Sequence, residues 1–165
     1  MLTAGAEQIA DAFLEAMPFV SLLVVFFAIV AVIQEQGIFG PIIDYVLSMD
    51  EGVQPTALFV ANGVLSMVSD NVFVATIFID TVANAYKEGA NNMTRAHFEK
   101  LAVATSMGTN LPSCATPNGQ AAFLFILTSG ISPLVQLSYA KMVTMTLPYT
   151  VTLTIAGLLG ITLLL

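Results

Sequence analysis

From Pro18 to Ile33 the chain reads PFVSLLVVFFAIVAVI, without one charged residue. With its flanks this run reaches about 20 residues, the length that carries an α-helix through about 30 Å of hydrocarbon. A soluble fold is hard to build around such a segment. The 165 residues are 57% hydrophobic and 9% charged, against about 25% charged in ordinary soluble domains. Lys and Arg number 4, Asp and Glu 11, too few to dress the exterior of a soluble chain of this size. Lipid is therefore part of the solvent, and the expected class is an all-α membrane protein with a single membrane domain.

The net charge of −7 leaves no polybasic patch, so nucleic acid is excluded as a partner. Cys114 is the single cysteine, which rules out an internal disulfide and a Cys-cluster metal site and leaves a free buried thiol. The N-terminus lacks the basic region of a secretory signal; Glu7, Asp11 and Glu15 instead recur along one helical face. Residues 1–17 are thus expected as an amphipathic lead-in, followed by a transmembrane helix over 18–36. The chain stops within TIAGLLGITLLL, with no anchor after it, and it is expected to be a fragment.

Gly37, Gly40 and Pro41 then break the helix. Residues 38–50 read as an interfacial helix with Asp44 solvated, and Glu35 is placed at the interface. Residues 56–86 pose a sharper problem. A single helix over them would be about 46 Å long, too long for the bilayer core without strong tilt. Near the middle stand Ser69, Asp70 and Asn71, within SMVSDNVFVA. Two half-helices folded back at this polar tip, a re-entrant hairpin, fit the length better. Irregular backbone at that depth survives only where protein or a water-filled cavity surrounds it, so the tip is expected to face an internal site.

Lys87 to Lys100 forms the aqueous loop, with Thr94 as a helix cap and His97 expected to be solvated. Residues 96–129 begin and end as helix, yet Gly108, Pro112, Pro117 and Gly119 crowd the centre. Proline costs about 3 kcal/mol in a helix interior and glycine about 1, so this helix is broken rather than bent. Thr109, Asn110, Ser113, Thr116, Asn118 and Gln120 make the break polar. Residues 141–165 read as a last transmembrane helix whose threonines bond back to i−4 carbonyls.

Two interrupted helices place half-helix ends and unwound carbonyls around a site near the bilayer midplane. Ser69, Asp70 and Asn71 from one break, with Thr116 and Asn118 from the other, make an all-oxygen set that suits Na+ better than zinc or copper. Asp70 is the key member. A carboxylate at that depth must be protonated, paired or bound to a cation. Desolvation favours the proton and a bound cation disfavours it, so one acid holds either, and that competition is the basis of cation/proton exchange. Asp80, with Thr76 and Asn84 a turn away on either side, is a candidate for the proton or cation pathway.

At SDNVFVATIF and ATPNGQAAFLFILTS the sequence resembles the ion transporter superfamily, and within it the NhaB-type sodium/proton antiporters of bacterial inner membranes. Members have two inverted repeats, each with a re-entrant hairpin tipped by a Ser-Asn-Thr-like motif and a broken helix with a Thr-Pro-Pro-Asn-like motif. Ser69, Asp70 and Asn71 match the first motif, and Thr116, Pro117 and Asn118 the second. The resemblance implies one repeat from the C-terminal part of a multi-pass inner-membrane antiporter. Na+ and H+ are its implied cargo, it has no cofactor, and its partners are the missing N-terminal repeat and a second copy in a homodimer. Asp70 stands where dicarboxylate-type members carry Asn, which favours cation/proton exchange. The basic residues of the 87–100 loop put that face in the cytoplasm by the positive-inside rule, whereas the resemblance implies the opposite side.

Other functions fit less well. A carrier of arsenite or a dicarboxylate is the alternative within the superfamily; the lack of an intramembrane Arg or Lys stands against a dianion. A structural subunit leaves the two polar breaks without purpose. An intramembrane hydrolase lacks nucleophile-elbow spacing around Ser69, Ser113 or Cys114.

Overall fold

The computed structural model describes residues 2–89 and 92–165. Among the described residues the chain is helical throughout, with no strand. Helix α1 spans Leu2–Glu35, α2 Gly40–Leu47, α3 Gln54–Val68, α4 Asn71–Lys87 and α5 Arg95–Asn110. The 3₁₀ turns Pro112–Ala115 and Pro117–Gly119 follow, and then α6 Ala121–Thr128, α7 Ile131–Leu134 and α8 Tyr139–Leu164. The segments Gln8–Ile33 of α1 and Tyr139–Leu164 are long and apolar enough to cross a membrane.

Helix α1 runs without interruption through Pro18, so residues 2–17 continue directly into the apolar segment. One proline removes a single i−4 bond, and the helix-forming sequence on both sides keeps the rest. Asp11 and Glu15 lie exposed on it, while the Glu7 side chain is outside the described residues. The break before α2 falls where glycine is needed, since Gly37 has φ +61°.

Chain direction follows from pairs in contact. His97 meets Gln54, and Asn62 meets Thr105 and Thr109, so α3 and α5 run the same way. Asn71 meets Asn110 while Tyr86 stacks on Phe98 with ring centroids 4.9 Å apart, so α4 runs against α5. Hence α4 returns along α3 after Ser69 and Asp70. Helix α8 also opposes α5, from Thr146 beside Ala115 to Leu165 beside Lys100.

Helices in lipid gain little from burying apolar surface, so close approach and hydrogen bonds must hold them. The α3–α5 seam has both. A Cβ on Gly108 would stand 2.6 Å from the Phe59 carbonyl oxygen, and one on Gly63 would stand 2.7 Å from Pro112. Ile43, Leu58, Phe73, Phe78 and Leu101 fill the space between α2, α3, α4 and α5. Phe59, Ala104 and Ile161 do the same between α3, α5 and α8. By contrast, α1 presents exposed Val24, Val25, Ile29 and Val32, the surface expected of a lipid-facing helix.

Along α8 the hydroxyls of Thr146, Thr150, Thr152 and Thr162 donate to carbonyls four residues back, as the sequence suggests. Thr154 does not.

Candidate functional site

The extended backbone of Ser69 ends α3, and Asp70, at φ −62° and ψ 134°, starts α4. Asp70 is 6% exposed. Its Oδ1 accepts from the backbone N–H of Val72 at 2.9 Å and of Phe73 at 3.2 Å. The carboxylate is thus the N-cap of α4, meeting donors that a helix start otherwise leaves unpaired. Oδ2 takes no part in these bonds.

The second break lies against the first. Thr116 Oγ1 donates to the Met67 carbonyl at 2.5 Å, tying the second break to the last turn of α3. The same hydroxyl oxygen accepts from Gly119 N–H at 3.3 Å, which caps the turn at Pro117. Gly119 passes so near both strands of chain that a Cβ would stand 2.3 Å from the Ser113 carbonyl oxygen and 2.5 Å from that of Ser66. Only glycine fits there without moving backbone. Gln120 Nε2 donates to Ser113 Oγ at 2.7 Å and to the Asn110 carbonyl at 3.3 Å, satisfying groups freed where α5 ends. Asn71 Nδ2 reaches Asn110 Oδ1 at 3.4 Å.

Of the five oxygen-bearing residues marked in the sequence, Asp70, Asn71 and Thr116 are drawn into these contacts. Ser69 is half-buried and Asn118 is exposed, and neither side chain makes a hydrogen bond among the described residues. Gly108 and Pro112 sit in the α3–α5 seam, and Pro117 and Gly119 form the second turn. Asp80 is exposed ten residues along α4 from Asp70, beside a hollow lined by Ile33, Phe39, Thr81 and Asn84. Glu35 and Asp44 are exposed.

His97 corrects the sequence reading. It is 9% exposed, in the first turn of α5, with Nε2 donating to Gln54 Oε1 at 2.7 Å. Gln54 Nε2 in turn donates to the carbonyls of Leu47 and Met49. The imidazole ties α5 to the start of α3 and to the turn before it. Nearby charges suggested water, but a partner 43 residues away decided the outcome. Thr94 caps α5 as expected, accepting from His97 N–H at 3.2 Å.

Sequence reasoning also passed over Asn62, Ser66 and Thr105, all fully buried between α3 and α5. The signal was present: Asn62 and Ser66 are four residues apart, as are Thr105 and Thr109, so each pair makes a polar stripe on an apolar half-helix.

These features define an all-helical membrane chain whose two helix breaks meet each other inside the fold. Comparison with known proteins narrows the class. Residues 3–165 match the family described as bacterial Na+/H+ antiporter B (NhaB), and the chain belongs to that family. Among similar curated proteins, the Na(+)/H(+) antiporter NhaB of Saccharophagus degradans is 61% identical over 92% of this chain and 30% of its own length. That of Hahella chejuensis is 65% identical over 87% of this chain and 28% of its own. The Marinobacter nauticus protein is 61% identical over 94% and 31%. The chain therefore spans about three-tenths of the length of these relatives. No solved structure matches it.

Proposed function

We propose that this chain forms one ion-binding repeat of a sodium:proton antiporter of the bacterial inner membrane. The observation that carries the reading is a buried carboxylate, Asp70, with one oxygen capping α4 and the other left over, beside a second helix break bonded directly to the first. In this reading α3 and α4 are the arms of a re-entrant hairpin, and α5 with α6 is the broken helix. Ser69, Asp70 and Asn71 bind Na+ together with Thr116 and Asn118, and backbone carbonyls complete the shell. The names of the relatives support Na+ and H+ as cargo. No cofactor is needed.

The exchange follows from electrostatics. With Na+ absent and protons plentiful, Oδ2 of Asp70 carries a proton and the buried group is neutral. An arriving Na+ stabilises the carboxylate and expels that proton. Either occupied form is close to neutral and able to change exposure, whereas the empty ionised form is held back by the cost of a bare buried charge. The α3–α5 seam and its hydrogen bonds make the hairpin and the first half of the broken helix one unit, which would move together in an elevator-like step. Asp80 would serve the path between the site and water. The remaining repeat of the full-length protein and a second copy in a homodimer are the partners this reading calls for.

The test uses everted membrane vesicles containing the full-length antiporter. A pulse of NaCl should release protons through the wild type and leave the pH gradient intact with Asp70→Asn. Undiminished antiport in that variant would end the assignment. Arsenite or a dicarboxylate collapsing the gradient in place of Na+ would point to the superfamily alternative.

A further inference from the structure

The two ends of the helices differ in chemistry. At one end, the connection from α4 to α5 and the turns beside it carry Lys87, Glu88, Arg95, Glu99 and Lys100. At the other, the connection from α6 to α8 carries no charge, and none occurs anywhere between Lys100 and Lys141. Its apolar side chains face outward: Ile131 is 59% exposed, Leu134 82% and Val135 54%. Its backbone, by contrast, closes on itself. Ser132 Oγ donates to the Leu137 carbonyl and Leu137 N–H to the Ser132 carbonyl, both at 2.9 Å. The N–H groups of Ser132, Val135 and Gln136 donate to the carbonyls of Ser129, Ile131 and Pro133. Lys141 Nζ donates to the carbonyls of Val135 and Gln136 at 3.3 Å each. A turn in water can leave such groups to the solvent, whereas one in contact with lipid must pair them internally.

The depth of this turn follows from α1. The run between Glu15 and Glu35 is uncharged and about 30 Å long, the thickness of the hydrocarbon core. Glu15 and Ala16 line one hollow with Thr128, Ser129 and Gly130. One turn deeper, Phe19 meets Phe125 with ring centroids 5.1 Å apart. The end of α6 is therefore level with Glu15, at the edge of that core. We propose that the α6–α8 connection is an interfacial turn whose Ile131, Leu134 and Val135 side chains enter the acyl region of the bilayer. Lipid suits this surface better than a helix from the rest of the antiporter. Helices meet in membranes through small residues and shared hydrogen bonds, and here the side chains are bulky and the backbone groups are already paired. The exposed Tyr139, Gln136 and Lys141 beside them fit the headgroup boundary. The inference needs a chain that spans a membrane, and no sodium ion at Asp70. It places a lipid contact one short helix from the second break, since α6 has only 8 residues.

Spin labelling of the full-length antiporter in lipid nanodiscs tests this. Ile131→Cys, Leu134→Cys and, as the water-exposed reference, Glu88→Cys are made one at a time in a chain whose native cysteines, Cys114 among them, are changed to serine. Each new cysteine carries a nitroxide, and its relaxation is read against oxygen, which concentrates in lipid, and against a water-soluble nickel chelate. All three positions are exposed, so the thermal midpoint should match that of the unlabelled chain. Oxygen should relax the labels at Ile131 and Leu134 more than nickel does, and the order should reverse at Glu88. Stronger relaxation by nickel at either Ile131 or Leu134 would make the connection an aqueous loop. Protection from both agents would mean that the rest of the antiporter covers it. Either result overturns the proposal. Asp70→Asn in the labelled chain should abolish exchange and leave the accessibility of the labels unchanged, so the lipid contact and the ion site stand or fall separately.

Discussion

The two helix breaks solve one problem in different ways. At the first, the chain reverses over two residues, and one carboxylate caps the departing helix with two backbone bonds. At the second, the chain winds through two 3₁₀ turns, and neutral groups share the work: Thr116, Gln120, Ser113 and a glycine with no room for a Cβ. The first break concentrates polarity in one titratable group, and the second spreads it over groups that never change charge. A site that exchanges a proton for a metal ion needs both, one member that titrates and a frame that does not.

Substitutions can break or sharpen that contrast. The largest effect on stability belongs to the second break. Gly119→Ala drives a methyl into two backbone carbonyls, which cannot turn aside as a flexible side chain would. Overpacking of this kind costs about 1–3 kcal/mol, so folded yield and thermal midpoint in detergent should fall. Gly130→Ala, where a Cβ meets nothing within 4 Å, is the matched control and should leave both unchanged.

The first break should divide stability from function. Asp70→Ala loses the cap and about 1 kcal/mol of stability. Asp70→Asn keeps a capping oxygen and should melt within a few tenths of a kcal/mol of wild type. If the amide variant melts normally and fails to exchange, the carboxylate is needed for its charge rather than its hydrogen bonds.

Thr116→Val tests the bridge between the breaks. Loss of the bond to the Met67 carbonyl and of the cap on Gly119 should cost about 0.5–1.5 kcal/mol. It should also weaken Na+ binding, with Thr116→Ser close to wild type. The smallest effect is expected far from both breaks. Arg95 and Glu99 form an exposed pair at 2.9 Å; its hydrogen bond, and then its charge, hold the guanidinium above its usual pKa. Glu99→Gln should change neither melting nor transport, because exposed pairs contribute little.

Both break positions were legible in the sequence, since proline, glycine and clustered polar residues have few reasons to interrupt an apolar helix. Asp70 stood out by the same logic. What could not be read depended on partners distant in sequence. The pairing of Gln54 with His97, and of Asn62 with Thr105, spans 43 residues, and no local pattern says which face of α3 meets which face of α5. The continuity of α1 through Pro18 was missed for a different reason. A proline and a change in polarity mark a boundary only when the remaining backbone bonds fail to carry the helix across it.

The central claim is that Asp70 holds a proton or a sodium ion and not both. The direct measurement is Na+ affinity against pH for the purified full-length antiporter. Competition predicts that apparent affinity falls about tenfold for each unit by which the pH is lowered once Asp70 is mostly protonated, with close to one proton released per Na+ bound. In Asp70→Asn the remaining affinity should no longer follow that slope. Wild-type Na+ binding independent of pH, or an unchanged slope in the Asn variant, would contradict the account.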